Sequence, residues 1–150
     1  MKVAAVVSTK GGPGKTAAGA NLGVFCADAG LRTLLIDLDT QPSMSSFYTL
    51  TYETRRGNYQ LIANDETRAN QVISKTCIPN LSVIHQNDPL NQLGSLLFHA
   101  ADGRFRLKNL ITTFAQDFDL ILSTPRAHAP LCSKSANRIA SSVQSSDAVL

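Results

Sequence analysis

The chain has 150 residues, a hydrophobic fraction of 43% and a formal net charge of +3. That length normally makes one domain with a substantial core, and so small a charge does not by itself indicate a nucleic-acid partner. No apolar run approaches the roughly 18 residues of a membrane span, and the N-terminus does not resemble a signal peptide. Because Cys26, Cys77 and Cys132 lack metal-ligand or redox-pair spacing, we expect a cytoplasmic protein without a structural metal or a membrane partner.

The first predicted unit is a strand, a glycine-rich loop and a helix. Residues 3–8 are short, uncharged and rich in valine, the pattern of a buried strand. Residues 10–16 read Lys-Gly-Gly-Pro-Gly-Lys-Thr, and residues 17–29 carry apolar side chains at helical spacing up to Gly30, a typical residue after a helix end. This order predicts a phosphate cradle, because the N–H groups of the loop and the helix N-terminus both attract anions.

The loop residue types also predict how a nucleotide would be held. We expect Lys15 to reach the β- and γ-phosphates and the Thr16 hydroxyl to take a place on Mg²⁺. The alternative interpretation is a glycine-rich turn with two solvated lysines. On the first interpretation, the residues expected to bind the cofactor are Gly11, Gly12, Gly14, Lys15, Thr16 and Ala17.

A second buried strand is predicted at residues 32–39, and it ends in two carboxylates, Asp37 and Asp39. Strand, helix and strand in this order predict a βαβ unit in a parallel sheet with a right-handed crossover. Ligands of doubly wound sheets bind at the carboxyl ends of the strands, where the loop and the two carboxylates are both expected. The carboxylates could hold magnesium or orient an attacking water, or they could simply cap the next helix.

From residue 44 to residue 122 the patterns are weaker. Arg55, Arg56 and Arg68 could contact DNA or a protein partner, although short charge clusters are usually solvated surfaces. His85, near a predicted strand end, is more typical of a hydrogen-bonded structural histidine than of a catalyst. The predicted elements are a short helix around Phe47, Tyr48 and Leu50, a turn at 57–58, a helix at 69–75, a strand at 80–85, helices at 90–100 and 105–116, and a strand at 118–122.

The loop departs from the general P-loop pattern and resembles a variant of it. The general pattern requires glycine where this chain has Thr9. The run Lys-Gly-Gly-x-Gly-Lys-Thr at 10–16 resembles the deviant Walker A motif of the ParA/MinD family of P-loop ATPases. Residues 37–43, Asp-Leu-Asp-Thr-Gln-Pro-Ser, resemble the switch I segment of ParA proteins, which usually reads Asp-x-Asp-Pro-Gln. Thr40 stands where proline is usual.

The resemblance implies an α/β, P-loop NTPase-type three-layer fold with a mostly parallel sheet, whose C-terminal part is incomplete here. Residues 1–122 correspond to the N-terminal part of a ParA-like nucleotide-binding domain. ATP and Mg²⁺ are the implied cofactors, and the implied partners are a second copy in an ATP-dependent homodimer, nonspecific DNA and a partition partner protein. The implied catalytic residues are Lys10, which reaches the partner's nucleotide, Lys15 and Asp39; the implied metal ligands are Thr16 and Asp37.

The resemblance stops after Leu122. In the family the fourth predicted strand leads into Ile-Asp-Thr, which carries the Walker B acid, and then into switch II. Here it leads into Ser123 and Thr124, and no carboxylate follows before Asp147. Residues 123–150 hold seven serines and no amphipathic period, so we expect a poorly ordered tail.

A truncation or a frame shift after Leu122 is one explanation of this tail. With permitted codons, the DNA of residues 122–130 moved by one base reads Ile-Asp-Thr-Gln-Gly-Ala-Arg-Ser, which looks like a Walker B strand and switch II. The other explanation is a divergent family member with a disordered C-terminus. The nucleotide sequence distinguishes the two.

Three functions remain open from the sequence. The chain could be a Mg-ATPase of the plasmid or chromosome partitioning type. It could be a nucleotide-binding remnant or decoy without turnover, because loss of the Walker B acid impairs phosphoryl transfer. It could also be a DNA-associated regulator whose basic tail, residues 123–150, carries the activity.

Overall fold

The structure is a computed structural model that describes residues 1–5, 14–39, 45–88, 90, 92–99 and 103–124. Within these residues, no helix is both long enough and apolar enough to cross a membrane. The strands are β1 (Lys2–Ala5), β2 (Thr33–Asp37), β3 (Leu50–Tyr52), β4 (Ser74–Thr76), β5 (Leu81–Ile84) and β6 (Leu120–Thr124). The helices are α1 (Gly14–Asp28), α2 (Asn58–Ala63), α3 (Ala69–Val72), α4 (Gln92–His99) and α5 (Gly103–Thr112), with a 3₁₀ turn at Ser45–Phe47.

The strands form one mostly parallel sheet in the order β1-β6-β2-β5-β4-β3. The pairs β1/β6, β6/β2 and β2/β5 are parallel, whereas β4 runs antiparallel to both β5 and β3. The crossover from β1 through α1 to β2 therefore passes over one intervening strand, β6. The predicted α/β class and mostly parallel sheet are confirmed.

The core has one apolar cluster on each face of the sheet, so the helices form outer layers on both sides. α1 covers one face, where the buried members of the cluster are Ala27, Leu35, Leu81, Val83 and Leu122. Helices α2, α4 and α5 cover the other face. The buried members there are Leu34, Ile36, Leu61, Ile62, Val72, Ile73, Ile84, Leu93, Leu110, Ile111, Phe114 and Ile121.

The C-terminus of α1 has the form predicted from Gly30. This glycine has φ of +86°, a conformation that costs glycine little because it has no Cβ. The Gly30 N–H donates to the Ala27 carbonyl at 2.9 Å, and the Leu31 N–H donates to the Cys26 carbonyl at 3.1 Å. These two bonds make a Schellman motif, which satisfies carbonyls that the helix end would otherwise leave unpaired.

Three predictions for the middle of the chain were wrong. The short helix predicted around Phe47 is a 3₁₀ turn followed by β3, and the turn predicted at 57–58 is the start of α2. The helix predicted at 69–75 ends at Val72, after which β4 begins. Strand pairing explains the last difference, because Ser74 and Thr76 are buried on either side of exposed Lys75 while β4 pairs with β5.

An ion pair joins the amino ends of β2 and β6. Arg32 donates from Nη2 to Asp119 Oδ1 at 2.8 Å and from Nε to Asp119 Oδ2 at 3.1 Å, and its backbone N–H also reaches Oδ2 at 3.0 Å. These bonds lower the pKa of the Asp119 carboxyl to about 2. Because the strands are parallel, this pair lies at the edge of the sheet opposite the predicted nucleotide site.

Candidate functional site

The carboxyl ends of β1, β6 and β2 lie side by side at one edge of the sheet. Ser123 on β6 is the register partner of both Ala5 and Ile36, and Thr124 is the register partner of Asp37. Helix α1 follows β1 and packs against β2 and β6, so it runs back across the sheet and its first turn lies at this same edge. The strand ends and the helix start thus have the arrangement predicted for a ligand site.

The first turn of α1 carries the described part of the predicted phosphate cradle. Thr16 is buried, with 8% of its surface exposed, and Ala17 is partly buried. Gly14 and Lys15 are the first two residues of the helix, which is where a helix attracts anions most strongly. The description of Lys15 does not extend to its side chain. Lys10, Gly11 and Gly12 lie outside the described residues, so their predicted roles remain predictions.

Asp37 is fully buried at the end of β2, where both its side chain and its backbone carbonyl accept hydrogen bonds. Its Oδ1 accepts a hydrogen bond from the Asp39 N–H at 3.2 Å. Its backbone carbonyl accepts one from Asn58 Nδ2 at 2.8 Å. Asp39 itself is partly buried. The carboxylate of Asp37 therefore orients the backbone that carries Asp39.

Asn58 is a residue of this edge that the sequence analysis missed. It is 1% exposed, and its Oδ1 accepts a hydrogen bond from the Asn87 N–H at 3.2 Å. Its own N–H donates to the His85 carbonyl at 3.0 Å. Gly57 was available as a signal, because glycine is a common N-cap and an apolar helical pattern follows it.

The end of β6 differs from the end of β2. Ser123 is buried, and neither it nor Thr124 has a carboxylate where the family resemblance implies the Walker B acid. The shifted reading of the DNA puts isoleucine at position 123 and aspartate at position 124. Position 124 is the register partner of Asp37, so an aspartate there would stand beside the existing carboxylate.

The donors on this edge fit magnesium better than an all-protein metal cage. Among the described residues, no group of three or more His, Cys, Asp or Glu side chains could hold a metal ion. Thr16 and Asp37 offer a hydroxyl and a carboxylate, which are hard oxygen donors. Magnesium is usually bound by one or two such protein groups together with phosphate oxygens and water, so these two residues suit a magnesium ion that arrives with a nucleotide.

The arginines considered as DNA or partner contacts are mostly engaged within the fold. Arg56 Nη1 lies 2.7 Å from Glu66 Oε2, and Arg68 Nε lies 2.7 Å from Glu66 Oε1. The hydrogen bonds from Arg68 are the main reason that the pKa of Glu66 falls to about 2. Arg55 is exposed. Two of the three arginines thus pair with Glu66, and a contact with DNA or a protein partner remains a prediction.

His85 contributes its backbone carbonyl to this edge. Its carbonyl accepts the Asn58 N–H, as described above, whereas its Nδ1 is buried and has no hydrogen-bond partner among the described residues. Burial lowers the pKa of the imidazole. The prediction of a hydrogen-bonded side chain is therefore wrong at Nδ1.

Comparisons with known proteins agree on a family. A protein-family model for an AAA domain, AAA_31, matches residues 1–140. The chromosome-partitioning ATPase Soj of Treponema pallidum is 35% identical over 123 residues, covering 81% of this chain and 47% of that protein. The chromosome partitioning protein ParA of Caulobacter vibrioides is 32% identical over 111 residues, covering 74% and 42%. The chain thus spans less than half the length of these two curated relatives.

Solved structures share the fold. The cobyrinic acid a,c-diamide synthase of Mycobacterium smegmatis, solved with bound ADP and magnesium, superposes with a TM-score of 0.79 at 20% identity, covering 97% of this chain and 69% of that one. A putative plasmid partition protein of Borrelia burgdorferi bound to AMPPNP superposes with a TM-score of 0.73 at 22% identity, covering 92% and 59%. At these identities the likeness establishes the architecture and nothing finer.

Proposed function

The chain belongs to the AAA domain family that includes the ParA/Soj partition ATPases, and from this premise we propose that it binds Mg-ATP at the carboxyl edge of its sheet. One observation carries the proposal: buried Asp37 ends β2 at the edge where α1 begins with buried Thr16. A hydroxyl and a carboxylate are the hard oxygen donors that magnesium takes together with phosphate oxygens, and a helix N-terminus attracts the phosphates themselves.

The proposed roles are those that the family resemblance implies for these residues. Gly11, Gly12, Gly14 and Ala17 bring backbone N–H groups to the phosphates, and Lys15 adds a positive charge. Thr16 and Asp37 hold the magnesium ion, which when bound neutralises charge on the phosphates. Asp39 orients the water that attacks the γ-phosphate, and Lys10 reaches the nucleotide of a second copy in an ATP-dependent homodimer.

Plasmid or chromosome partitioning is the function we propose for the protein as a whole. On this proposal it acts in the cytoplasm with nonspecific DNA and a partition partner protein, as the family assignment favours. The described residues supply the nucleotide side of that function. A DNA-associated regulator that depends on residues 123–150 stays a prediction from the sequence.

A second candidate is a nucleotide-binding protein without turnover, which would act as a remnant or as a decoy for a longer partner. The observation that favours it is the end of β6, where Ser123 and Thr124 stand in place of the acid. Without that acid the site keeps its phosphate contacts but loses a carboxylate close to the transferring phosphoryl group, where catalysis depends on electrostatic positioning.

Equilibrium binding of a fluorescent ATP analogue, with Mg²⁺ and with EDTA, tests the shared part of both candidates. We expect Mg²⁺-dependent binding that Lys15→Ala weakens by about tenfold or more, since a charged hydrogen bond contributes roughly 1.5–3 kcal/mol. Lys75→Ala is the matched control, because Lys75 is exposed on β4. Equal binding by the Lys15→Ala and Lys75→Ala variants would contradict the proposal. Steady-state phosphate release then separates the working ATPase from the form without turnover.

A further inference from the structure

We propose that Asn58 is a positioning residue for the two carboxylates at the end of β2. None of the hydrogen bonds given for Asn58 is to a carboxylate oxygen of Asp37 or Asp39. Asn58 acts instead on the backbone of Asp37, and through Asp37 on Asp39. The inference rests on the proposed function for its consequence in magnesium binding, and on the described geometry for the positioning itself.

The side-chain amide of Asn58 joins two neighbouring strand ends. Its Nδ2 donates to the Asp37 carbonyl at 2.8 Å, beyond which the chain leaves β2. Its Oδ1 accepts from the Asn87 N–H at 3.2 Å, just beyond β5. The amide thus ties the carbonyl at the end of β2 to the segment that follows β5.

Asn58 is itself held rigidly, which a positioning residue requires. Its backbone N–H donates to the His85 carbonyl, and the next N–H, that of Tyr59, donates to Asn87 Oδ1 at 3.0 Å. The Gly57 N–H donates to Gln60 Oε1 at 3.0 Å, and Asn87 Nδ2 donates to the same oxygen at 2.6 Å. The first N–H groups of α2 are thus paired, and the helix N-terminus is fixed against the end of β5.

Gly57 shows how close this approach is. A Cβ atom at this position would collide with the His85 carbonyl oxygen and would also lie 2.9 Å from Asn87 Oδ1. Since the first obstacle is backbone, it cannot move aside cheaply. The contact between α2 and β5 is therefore part of the fold and not an incidental approach of two loops.

The chemical type of residue 58 follows from its two partners. One partner is a carbonyl and needs a donor, while the other is an N–H and needs an acceptor. An asparagine side chain offers both, whereas an aspartate carboxylate offers acceptors only. Asn58→Asp would keep the bond to Asn87 and lose the bond to Asp37, so the two contacts can be separated by substitution.

The effect is expected to reach Asp39 through one further bond. The Asp39 N–H donates to Asp37 Oδ1, and this bond depends on the backbone angle that the carbonyl of Asp37 adopts. If Asn58 no longer holds that carbonyl, the carboxylate of Asp37 and the backbone of Asp39 lose their fixed relation. Both residues belong to the proposed nucleotide site, so their order matters before any ligand arrives.

Amide hydrogen exchange of the chain without nucleotide tests the positioning. We expect Asn58→Ala and Asn58→Asp to accelerate exchange at the Asp39 amide by about five- to tenfold, the factor that corresponds to one buried hydrogen bond. Thr76→Val is the matched control. Thr76 is buried at the opposite edge of the sheet. Its hydroxyl donates to the Leu81 carbonyl and accepts from the Ile78 N–H.

The outcomes separate a positioning role from a general loss of stability. The proposal would be overturned if the rate of amide hydrogen exchange at Asp39 rose equally in Thr76→Val and in Asn58→Ala, compared at the same free energy of unfolding. If the Asp39 amide exchanged at the wild-type rate in Asn58→Asp, faster exchange in Asn58→Ala would be due to the lost bond to Asn87. That outcome would also overturn the proposal. Faster exchange in both Asn58 variants alone supports it.

Nucleotide binding supplies the second readout. The ratio of ATP affinity with Mg²⁺ to that with EDTA should fall about tenfold in Asn58→Ala, as for other groups that orient a metal ligand, and should be unchanged in Thr76→Val. An unchanged ratio in Asn58→Ala would contradict the positioning of Asp37. If the wild-type chain shows no Mg²⁺-dependent binding, the proposed function fails, and the exchange experiment still decides whether Asn58 orders the end of β2.

Discussion

The ends of β2 and β6 lie side by side in the sheet but are built in different ways. β2 ends at Asp37, whose carbonyl is bound by Asn58 and whose carboxylate accepts the Asp39 N–H. β6 ends at Ser123 and Thr124, in register with Ile36 and Asp37 and without a carboxylate. One strand end thus carries an ordered pair of acids, and its neighbour carries only hydroxyls.

This difference separates two requirements of a nucleotide site. Order at a strand end comes from contacts that the fold itself supplies, such as the amide of Asn58. The charge that holds a cation comes from a few particular side chains. The β2 end has both, so the proposed magnesium site would not depend on β6 alone. The β6 end has the register without the charge, and charge at this position is what hydrolysis is expected to need.

Removing the charge at one strand end, or adding a charge at the other, should have the largest effect on Mg²⁺-dependent ATP affinity. Asp37→Asn removes the buried carboxylate, and we expect the Mg²⁺-dependent part of ATP affinity to fall by about 10- to 100-fold. Thr124→Asp adds a carboxylate at the register partner and should raise that part by about tenfold, which corresponds to about 1.4 kcal/mol of added attraction between an anion and the cation. Isothermal titration with and without Mg²⁺ measures both.

Stability without magnesium provides the control for these substitutions. Two adjacent carboxylates repel each other, so Thr124→Asp should lower the melting temperature in EDTA and recover it in Mg-ATP. Thr124→Asn has nearly the same size without the charge and should do neither. If Thr124→Asp and Thr124→Asn bind magnesium equally, the two strand ends do not share a site.

Gly57→Ala tests the order of the β2 end without changing its charge. The added methyl group would meet the backbone carbonyl of His85, so α2 must move away from β5. We expect a loss of about 1–3 kcal/mol in the free energy of unfolding, the usual cost of overpacking, measured by urea denaturation. Ala63→Gly at the end of the same helix also exchanges alanine and glycine but leaves this contact intact. If amide hydrogen exchange at Asp39 is faster in Gly57→Ala but not in Ala63→Gly, the contact between α2 and the end of β5 orders the β2 end.

The parallel part of the fold was predictable because its signals are local and strong. Continuous apolar runs, a glycine-rich turn and Gly30 indicate β1, α1 and β2 without reference to the rest of the chain. The predicted strand at 80–85 and helix at 90–100 match β5 and α4 to within two residues at each end. Where a segment is buried on both faces, its composition alone distinguishes it from a surface loop.

The antiparallel edge was not predictable for a physical reason. β3 and β4 are three residues each, too short to show the alternation of polar and apolar side chains that identifies a strand, although threonine favours strands. They are strands because they pair with each other and with β5, which is information from distant sequence. Short edge strands are decided by that context more than by intrinsic preference.

The site shows the same division. The placement of Thr16, Asp37 and Asp39 at the carboxyl edge could be predicted because each lies at the start or end of a recognisable element. Asn58 could not, because its importance comes from a bond across 21 residues to the backbone of Asp37. No feature of residues 57–60 in the sequence indicates which strand end that helix will meet.

The opposite ends of the same two strands offer a comparison by pH. The bonds from Arg32 lower the pKa of Asp119 from 3.8 to about 2, so the carboxylate form is favoured in the folded chain. This contribution to stability is fully present above pH 3.8 and is lost as the pH falls towards 2. Asp119→Asn should therefore lower the free energy of unfolding at neutral pH and make it depend less on pH in the acid range. The effect should be smaller than that of Gly57→Ala, because the ion pair is partly exposed.

Urea denaturation at several pH values measures the effect of Asp119. Asp117→Asn is the control, since Asp117 is exposed and close in sequence. Mg²⁺-dependent ATP binding should be unchanged in both variants, because both positions lie away from the carboxyl edge. A loss of binding in Asp119→Asn at matched stability would show that the two edges of the sheet are coupled.

The smallest effect is expected where α1 meets β2 at Gly23. A Cβ atom there would lie 2.8 Å from Leu35 Cδ2, but this obstacle is the end of a flexible side chain, unlike the backbone oxygen that faces Gly57. Alanine also favours a helix interior over glycine by about 1 kcal/mol, which offsets the strain. We therefore expect Gly23→Ala to change the free energy of unfolding by less than about 1 kcal/mol in either direction. A loss as large as that of Gly57→Ala would mean that Leu35 cannot yield, and that α1, with Thr16 at its start, is held against β2 as rigidly as α2 is held against β5.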